Sequence, residues 1–364
     1  MRIKKGFIFA YYCFDIADSI TLDQIQKVLG KKAESCVLST AKILPVYVQY
    51  KKAPLLFKLG FFDLKGFKKV SIDAKVYDFG VLSLRFSIPF SGTFTELRKT
   101  SYELLYKNIL EEVAKKYMRK IKKEIEPVLL KPREEAKHPF ETYSVFHVAE
   151  FDKNILAENL IKTQSIEIAK ILKPDIIPLS RYELNEAVSN SLSYYNDELV
   201  MIGWNASFIY DKRLSFDVID ILEFATINLL ELRYYDSVLD EALDKAYDDI
   251  ESLRKKKFSF AISPYGKTLD QLQQVKLDVS EVIDKMSNFL KLIGELYLAK
   301  VYATASKIFY LDAWKASIKE KLDAISATYS MLSSRTVNLQ MVVLETAIVL
   351  LFVIDIILII FLEF

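Results

Sequence analysis

The sequence predicts an α+β body, then long α-helices that pair as a coiled-coil-like hairpin, and a C-terminal transmembrane helix. Three observations predict it. Up to about residue 212, short runs rich in aromatic and β-branched residues alternate with short amphipathic stretches. After residue 215 the texture turns to long helical runs, the last proline being Pro264 and the last glycine Gly294. Residues 341–362 are then almost pure hydrocarbon, with only Glu345, Thr346 and Asp355 polar. The expected domains are a body over 1–212, a long-helix region over 215–340 and the membrane helix over 341–362.

The opening "MRIKKGFIFAYYCF" mimics a secretory signal, but its apolar run is short and reaches Asp15 and Asp18 without a cleavage site. Acidic residues come too early for a transit peptide, so residues 6–14 are expected as a first strand. "LDQIQKVLG" follows as a short helix, capped by Thr21 and stopped at Gly30. "ILPVYVQY" reads as a strand, and "VSIDAKVYDFGVLSLRF" as two strands meeting near Asp78-Phe79-Gly80. A long helix is expected from a Thr93–Glu96 capping box to Pro127. "TYSVFHVAEF" then reads as a strand, "KNILAENLIK" as a helix, and "DELVMIGWNASFIYD" as a strand pair around Gly203. The order strand, helix, strand pair thus recurs, over 1–126 and 140–212. It suggests two related half-domains of the ferredoxin-like kind.

The helical part opens with "FDVIDILEFATINLLELRYYDSVLDEALDKAYDDIESLRKK", free of Gly and Pro, and breaks at "KFSFAISPYGKT". A second run starts near Leu269, with apolar positions at Val279, Ile283, Met286, Leu290, Ile293 and Tyr297. A third carries Ile318, Leu322, Ile325, Tyr329, Leu332, Thr336, Leu339 and Val343. Steps of four and three make this a coiled-coil seam. The two runs are expected to fold back on each other with a turn in 303–311, either within one chain or paired with a second copy.

Residues 341–362 are long enough to cross a hydrocarbon core of roughly 30 Å. Lys315, Lys319, Lys321 and Arg335 precede the segment and only Glu363 follows it. The positive-inside bias therefore expects a single-pass, tail-anchored protein of the cell membrane with a cytoplasmic body. Asp355 is the anomaly, because a carboxylate deep in a span costs roughly 2.5–3.5 kcal/mol when unpaired. Glu345 and Asp355 are therefore expected to serve association in the membrane, and a homo-oligomer follows.

With 50 basic against 48 acidic residues, the whole chain is not an electrostatic nucleic-acid binder. The nine glycines form no phosphate-binding pattern, and no cofactor is expected. Cys13, Cys36, His138 and His147 match no zinc spacing. Cys13 reads as a strand-core thiol, His138 beside Pro139 as a loop residue, and His147 as a candidate general base without a nucleophile motif. Arg233, Asp236 and Asp240, three and four apart, share a helix face and mark an alternative enzymatic site. The basic end at 115–133, with Lys115, Lys116, Arg119, Lys120, Lys122 and Lys123, marks an alternative contact to anionic lipid or RNA.

Several of these stretches resemble one family. Leu344-Glu345 through Asp355 resembles the ending of the required-for-meiotic-nuclear-division proteins, a domain-of-unknown-function family whose members usually carry Glu where Asp355 stands. Ala10, Tyr11 and Leu22 match its opening strand and helix, and Tyr77 to Val81 its aromatic–acid–aromatic–Gly–Val motif. "LIGELYLAK" with Gly294 and Glu295, and "KEKLDAI" with Lys321, Leu322 and Asp323, resemble its later helical motifs. The resemblance implies a membrane-anchored oligomer without established enzymatic activity. Mitochondrial members act in organelle translation as inner-membrane tethers, a role that does not carry over to a chain without a transit peptide. The expected function is a non-enzymatic membrane scaffold that presents its body to cytoplasmic protein partners.

Overall fold

A computed structural model describes residues 1–29, 34–35, 54–64, 66–134, 140–174, 180–213, 216–255, 273–280, 283–284 and 296–362. The chain divides into two compact units, Met1–Tyr234 with Asp284–Ala313, and Tyr235–Ile283 with Trp314–Phe364.

The first unit is built on β1 (Arg2–Asp15). This strand pairs antiparallel with β6 (Val81–Thr93) on one side and β8 (Phe140–Phe151) on the other. Among the described residues the sheet has nine strands, in the order β3 (Glu34–Ser35), β4 (Leu55–Leu64), β5 (Phe67–Val76), β6, β1, β8, β11 (Ala206–Tyr210), β10 (Leu199–Ile202) and β9 (Ser191–Leu192). Among the described residues only the β8–β11 pair is parallel, so the sheet is mixed, while β2 (Ala17–Ile20) and β7 (Leu129–Pro132) form a separate antiparallel pair. The stretches 1–126 and 140–212 therefore contribute to one sheet inside one unit. The strand expected at "ILPVYVQY" and the stop at Gly30 lie outside the described residues. β4 was not anticipated, because its exposed Phe61 and interspersed Lys58 and Asp63 hide the period-two pattern.

One face of the sheet carries Ile8, Ala10, Tyr12, Phe14, Leu82, Leu84, Phe86, Phe146, Val148 and Phe208. They join a core with α1 (Leu22–Leu29), α2 (Phe94–Ser101), α3 (Glu111–Glu124) and α4 (Ala157–Leu172). The other face is covered by the start of α6 (Phe216–Lys255), while α5 (Arg181–Ser189) follows α4. β1 is buried on both faces, which is why "FIFAYYCF" reads as a continuous apolar run.

The expected single helix from Thr93 is interrupted. Its capping box is present, with Thr93 Oγ1 accepting from Glu96 N at 3.2 Å and Glu96 Oε2 accepting from Thr93 N at 2.7 Å. α2 then passes into a π-turn over Tyr102–Tyr106, and Asn108 adopts φ 47° before α3 begins. Asparagine tolerates this left-handed conformation. Its side chain accepts from the Tyr12 hydroxyl and donates to Glu111 Oε2 at 2.6 Å, so the break is fixed from both sides.

The first part of α6, up to Tyr234, belongs to the first unit. From Val218 to Leu232 it is buried almost all round, its apolar residues interspersed with the buried Glu223, Thr226, Asn228 and Glu231. α7 (Leu296–Ile308) joins it in the first unit, Asn228 Nδ2 donating to the Tyr302 hydroxyl at 2.7 Å. The predicted turn falls at Phe309–Tyr310, where Tyr310 has φ 54° and Phe309 is buried against Tyr143 and Trp204. α8 (Leu311–Leu362) follows without a break.

In the second unit Val279, Ile318, Leu322, Ile325 and Tyr329 are buried. Val343, the last residue of the expected seam, is exposed. "KFSFAISPYGKT", Leu269, Met286, Leu290, Ile293 and the Gly294–Glu295 motif lie outside the described residues, as do the side chains of Leu332, Arg335, Thr336 and Leu339.

Candidate functional site

Two features of the chain are unusual for a folded protein: a buried polar layer in the first unit and a bare apolar helix in the second.

The polar layer lies between the sheet and α6. Strand register places Asp73 opposite Arg85 and Arg85 opposite Tyr11; one step along, Lys75 faces Ser83, which faces Cys13. α6 lays Asp220 and Glu223 over them, three residues apart and so on one helix face. Lys75 Nζ is 2.5 Å from Glu223 Oε2 and 3.1 Å from Asp220 Oδ1. Arg85 Nη2 is 2.8 Å from Asp73 Oδ2, and its guanidinium lies 5.4 Å from the Phe216 ring centre. Two cations thus face three carboxylates in a layer where Lys75 is 5% and Glu223 1% exposed. Ions this deep persist only when paired. Burial, and then the neighbouring Glu223 carboxylate, push the Tyr11 phenol well above its ordinary range. The same two causes, in the same order, raise the Cys13 thiol, the reverse of an activated nucleophile. The layer therefore holds α6 in register on the sheet and keeps Tyr11 and Cys13 neutral.

The other predicted residues are dispersed. His147 is 2% exposed on the α6 face of β8. It stands six residues along β8 from Glu141, the partner of Cys13, a separation of about 20 Å at strand rise. Cys36 and His138 lie outside the described residues. Arg233 points to Glu141, Nη1 to Oε1 at 2.6 Å. Asp236 and Asp240 instead share Lys321, at 2.8 and 2.6 Å, and Asp236 also accepts from Ser317 Oγ at 2.9 Å. Each of these acids is thus engaged by a cation or hydroxyl of α8.

The basic set divides as well. Lys115 bonds Glu111 at 2.5 Å and lies over the Phe140 ring, and Lys122 donates to the Arg133 carbonyl. Arg133 itself is buried, paired with Asp15 and Asp18 and stacked 3.7 Å from the Tyr234 ring centre. Lys116, Arg119, Lys120 and Lys123 stay on the exposed side of α3.

The second feature is Gln340–Ile359 of α8. Its mean hydropathy is 2.9, it is long enough to cross a membrane, and none of it is buried. Glu345 and Asp355 lie within it, and Thr346 Oγ1 donates to the Val342 carbonyl at 2.7 Å.

A mixed-sheet body with helices on both faces, joined to further helices and one terminal apolar helix, is the class that these features define. The chain belongs to the family described as "Uncharacterized protein MJ0711, N-terminal domain", whose model matches residues 5–217. Uncharacterized protein MJ0711 of Methanocaldococcus jannaschii is 25% identical over 277 residues, which cover 72% of this chain and 82% of that protein. No solved structure matches the chain. The matched stretch contains the opening strand and helix and the Tyr77–Val81 turn; the later helical motifs and the Leu344–Asp355 ending lie beyond it.

His147 gives a pH prediction. Burial lowers its pKa from 6.5 to about 4, a fall partly opposed by Asp211. The unfolded state binds the proton more readily, so stability falls as pH drops from about 6.5 towards 4, by at most about 1.4 kcal/mol per unit. Melting of wild type and His147→Gln at both ends of this window should show the steeper loss in wild type. Equal losses would contradict the assignment.

Proposed function

We propose that the protein is a single-pass, membrane-anchored scaffold, without catalytic activity, that presents its mixed-sheet body to partners in the cytoplasm. The observation that carries the reading is the bare Gln340–Ile359 segment, apolar and unburied on a helix that starts at Leu311. An exposed apolar surface of this length in water is a strong liability, and in a bilayer it is matched. Lys315, Lys319 and Lys321 precede the span and favour a cytoplasmic body. The resemblance to the required-for-meiotic-nuclear-division proteins points the same way, towards an anchored oligomer. The pairing of Asp236 and Asp240 with Lys321 favours a structural role for that acidic helix over a catalytic one.

The test is purification of the full chain from membranes in mild detergent, with hydrolase and metal-dependent assays and mass analysis of co-purifying chains. A stoichiometric protein partner without turnover supports the scaffold. Turnover abolished by Asp236→Ala, with melting unchanged, would overturn it.

In this reading Glu345 and Asp355 penalise a lone helix and reward an assembled one, because a polar group in lipid is costly only while unpaired. Asp355→Leu should ease insertion of one helix, yet weaken association by roughly 5- to 30-fold, the worth of one interhelical hydrogen bond of about 1–2 kcal/mol. Glu345→Leu should act in the same direction. Cross-linking in native membranes reads this out, and unchanged assembly of both variants would refute it.

A further inference from the structure

We infer that the exposed side of α3 is a docking face for an anionic membrane surface, the leaflet into which the protein's own span inserts. The inference rests on the anchored reading and adds a second, electrostatic contact to it. α3 buries Ala114, Met118 and Ile121 in the core and turns Lys116, Lys120 and Lys123 outwards. These sit at i, i+4 and i+7, a single stripe on one helix face. Among the described residues none of the three makes an ion pair, whereas Lys115 and Lys122 are engaged by Glu111 and the Arg133 carbonyl. Arg119 flanks the stripe on its exposed side. The fold thus sorts one basic run into inward, bonded cations and an outward row of lysines, which with Arg119 outnumbers the exposed Glu112 and Glu124 at the two ends of the helix.

Charge complementarity selects the occupant. The chain as a whole is nearly neutral, so a general polyanion is not drawn to it. A leaflet rich in anionic lipid is held at high effective concentration by the anchor, and there even a weak contact of three or four cations is populated. Each cation near such a surface contributes about 1 kcal/mol, or roughly fivefold. Three lysines together give on the order of 100-fold.

The experiment uses the full chain reconstituted in phosphatidylcholine vesicles and in phosphatidylcholine–phosphatidylserine vesicles. Amine acetylation is read at each lysine by mass spectrometry, at low and high salt. The inference expects Lys116, Lys120 and Lys123 to be protected only with phosphatidylserine and only at low salt, with Lys162, exposed on α4, unchanged. Equal labelling in the two lipids overturns it. Protection by an added RNA oligonucleotide in neutral vesicles, without protection by phosphatidylserine, also overturns it and assigns the face to RNA. Incorporation is scored separately, by resistance to alkaline washing in neutral vesicles. Should that fail, the anchored reading has failed alone. Docking is then decided by flotation with phosphatidylserine vesicles, where K116Q/K120Q/K123Q must lose on the order of 100-fold in binding.

Discussion

Lys75→Met should lower the stability of the first unit by about 3–5 kcal/mol. The lysine sits in the sheet, 5% exposed, with Glu223 at 2.5 Å and Asp220 at 3.1 Å. Methionine fills nearly the same volume, so the loss is electrostatic: the buried Glu223 and the half-buried Asp220 on α6 lose their cation. For a unit of this size the change corresponds to a fall in Tm of about 6–20 °C. The companion variant separates pairing from packing. Lys75→Met with Glu223→Leu removes the pair together, and such replacements are often neutral or stabilising, so most of the lost Tm should return. Melting of the full chain in mild detergent measures both. A single variant as stable as wild type, or a double variant worse than the single, would contradict the view that this pair holds α6 on the sheet.

Gly80→Ala should be comparably damaging for a geometric reason. Gly80 has φ 96°, and a Cβ there would lie 1.7 Å from the Ala17 carbonyl oxygen. The turn is fixed around that close approach, Ile16 N donating to Gly80 O at 3.0 Å and Ile20 N to Asp78 O at 2.8 Å. The bond between Tyr77 N and Val81 O, 2.9 Å long, closes it. Backbone strain and overpacking each cost about 1–3 kcal/mol, so a loss of roughly 2–6 kcal/mol is expected. A variant melting within a degree or two of wild type would show that the Ala17 segment moves aside freely.

The Tyr77–Val81 motif was legible in the sequence because a turn glycine between two β runs has a single local cause. The capping box at Thr93 and the strand pair around Gly203 were legible because they too have local causes. The polar layer was not. "SIDAKV" alternates like a strand with one solvated face, because the cover over Lys75 is α6, nearly 150 residues away. The available signal was Glu223, a lone carboxylate in the apolar run around "ILEFATINLL", and its partner could be named only in three dimensions. The long helix from Thr93 failed as a single element because Asn108 is held by Tyr12, a strand residue 96 positions away. Arg133 looked like part of an exposed basic end, yet Asp15 and Asp18 bury it. Local rules find caps and turns; ion pairs across a sheet depend on which face each element covers.

The proposed function requires Gln340–Ile359 to lie in a bilayer. Alkaline carbonate extraction of membranes from cells making the full chain tests it most directly. The protein should stay in the membrane pellet, and Leu350→Lys with Ile354→Lys should release it. Wild-type protein released into the alkaline supernatant would contradict the claim.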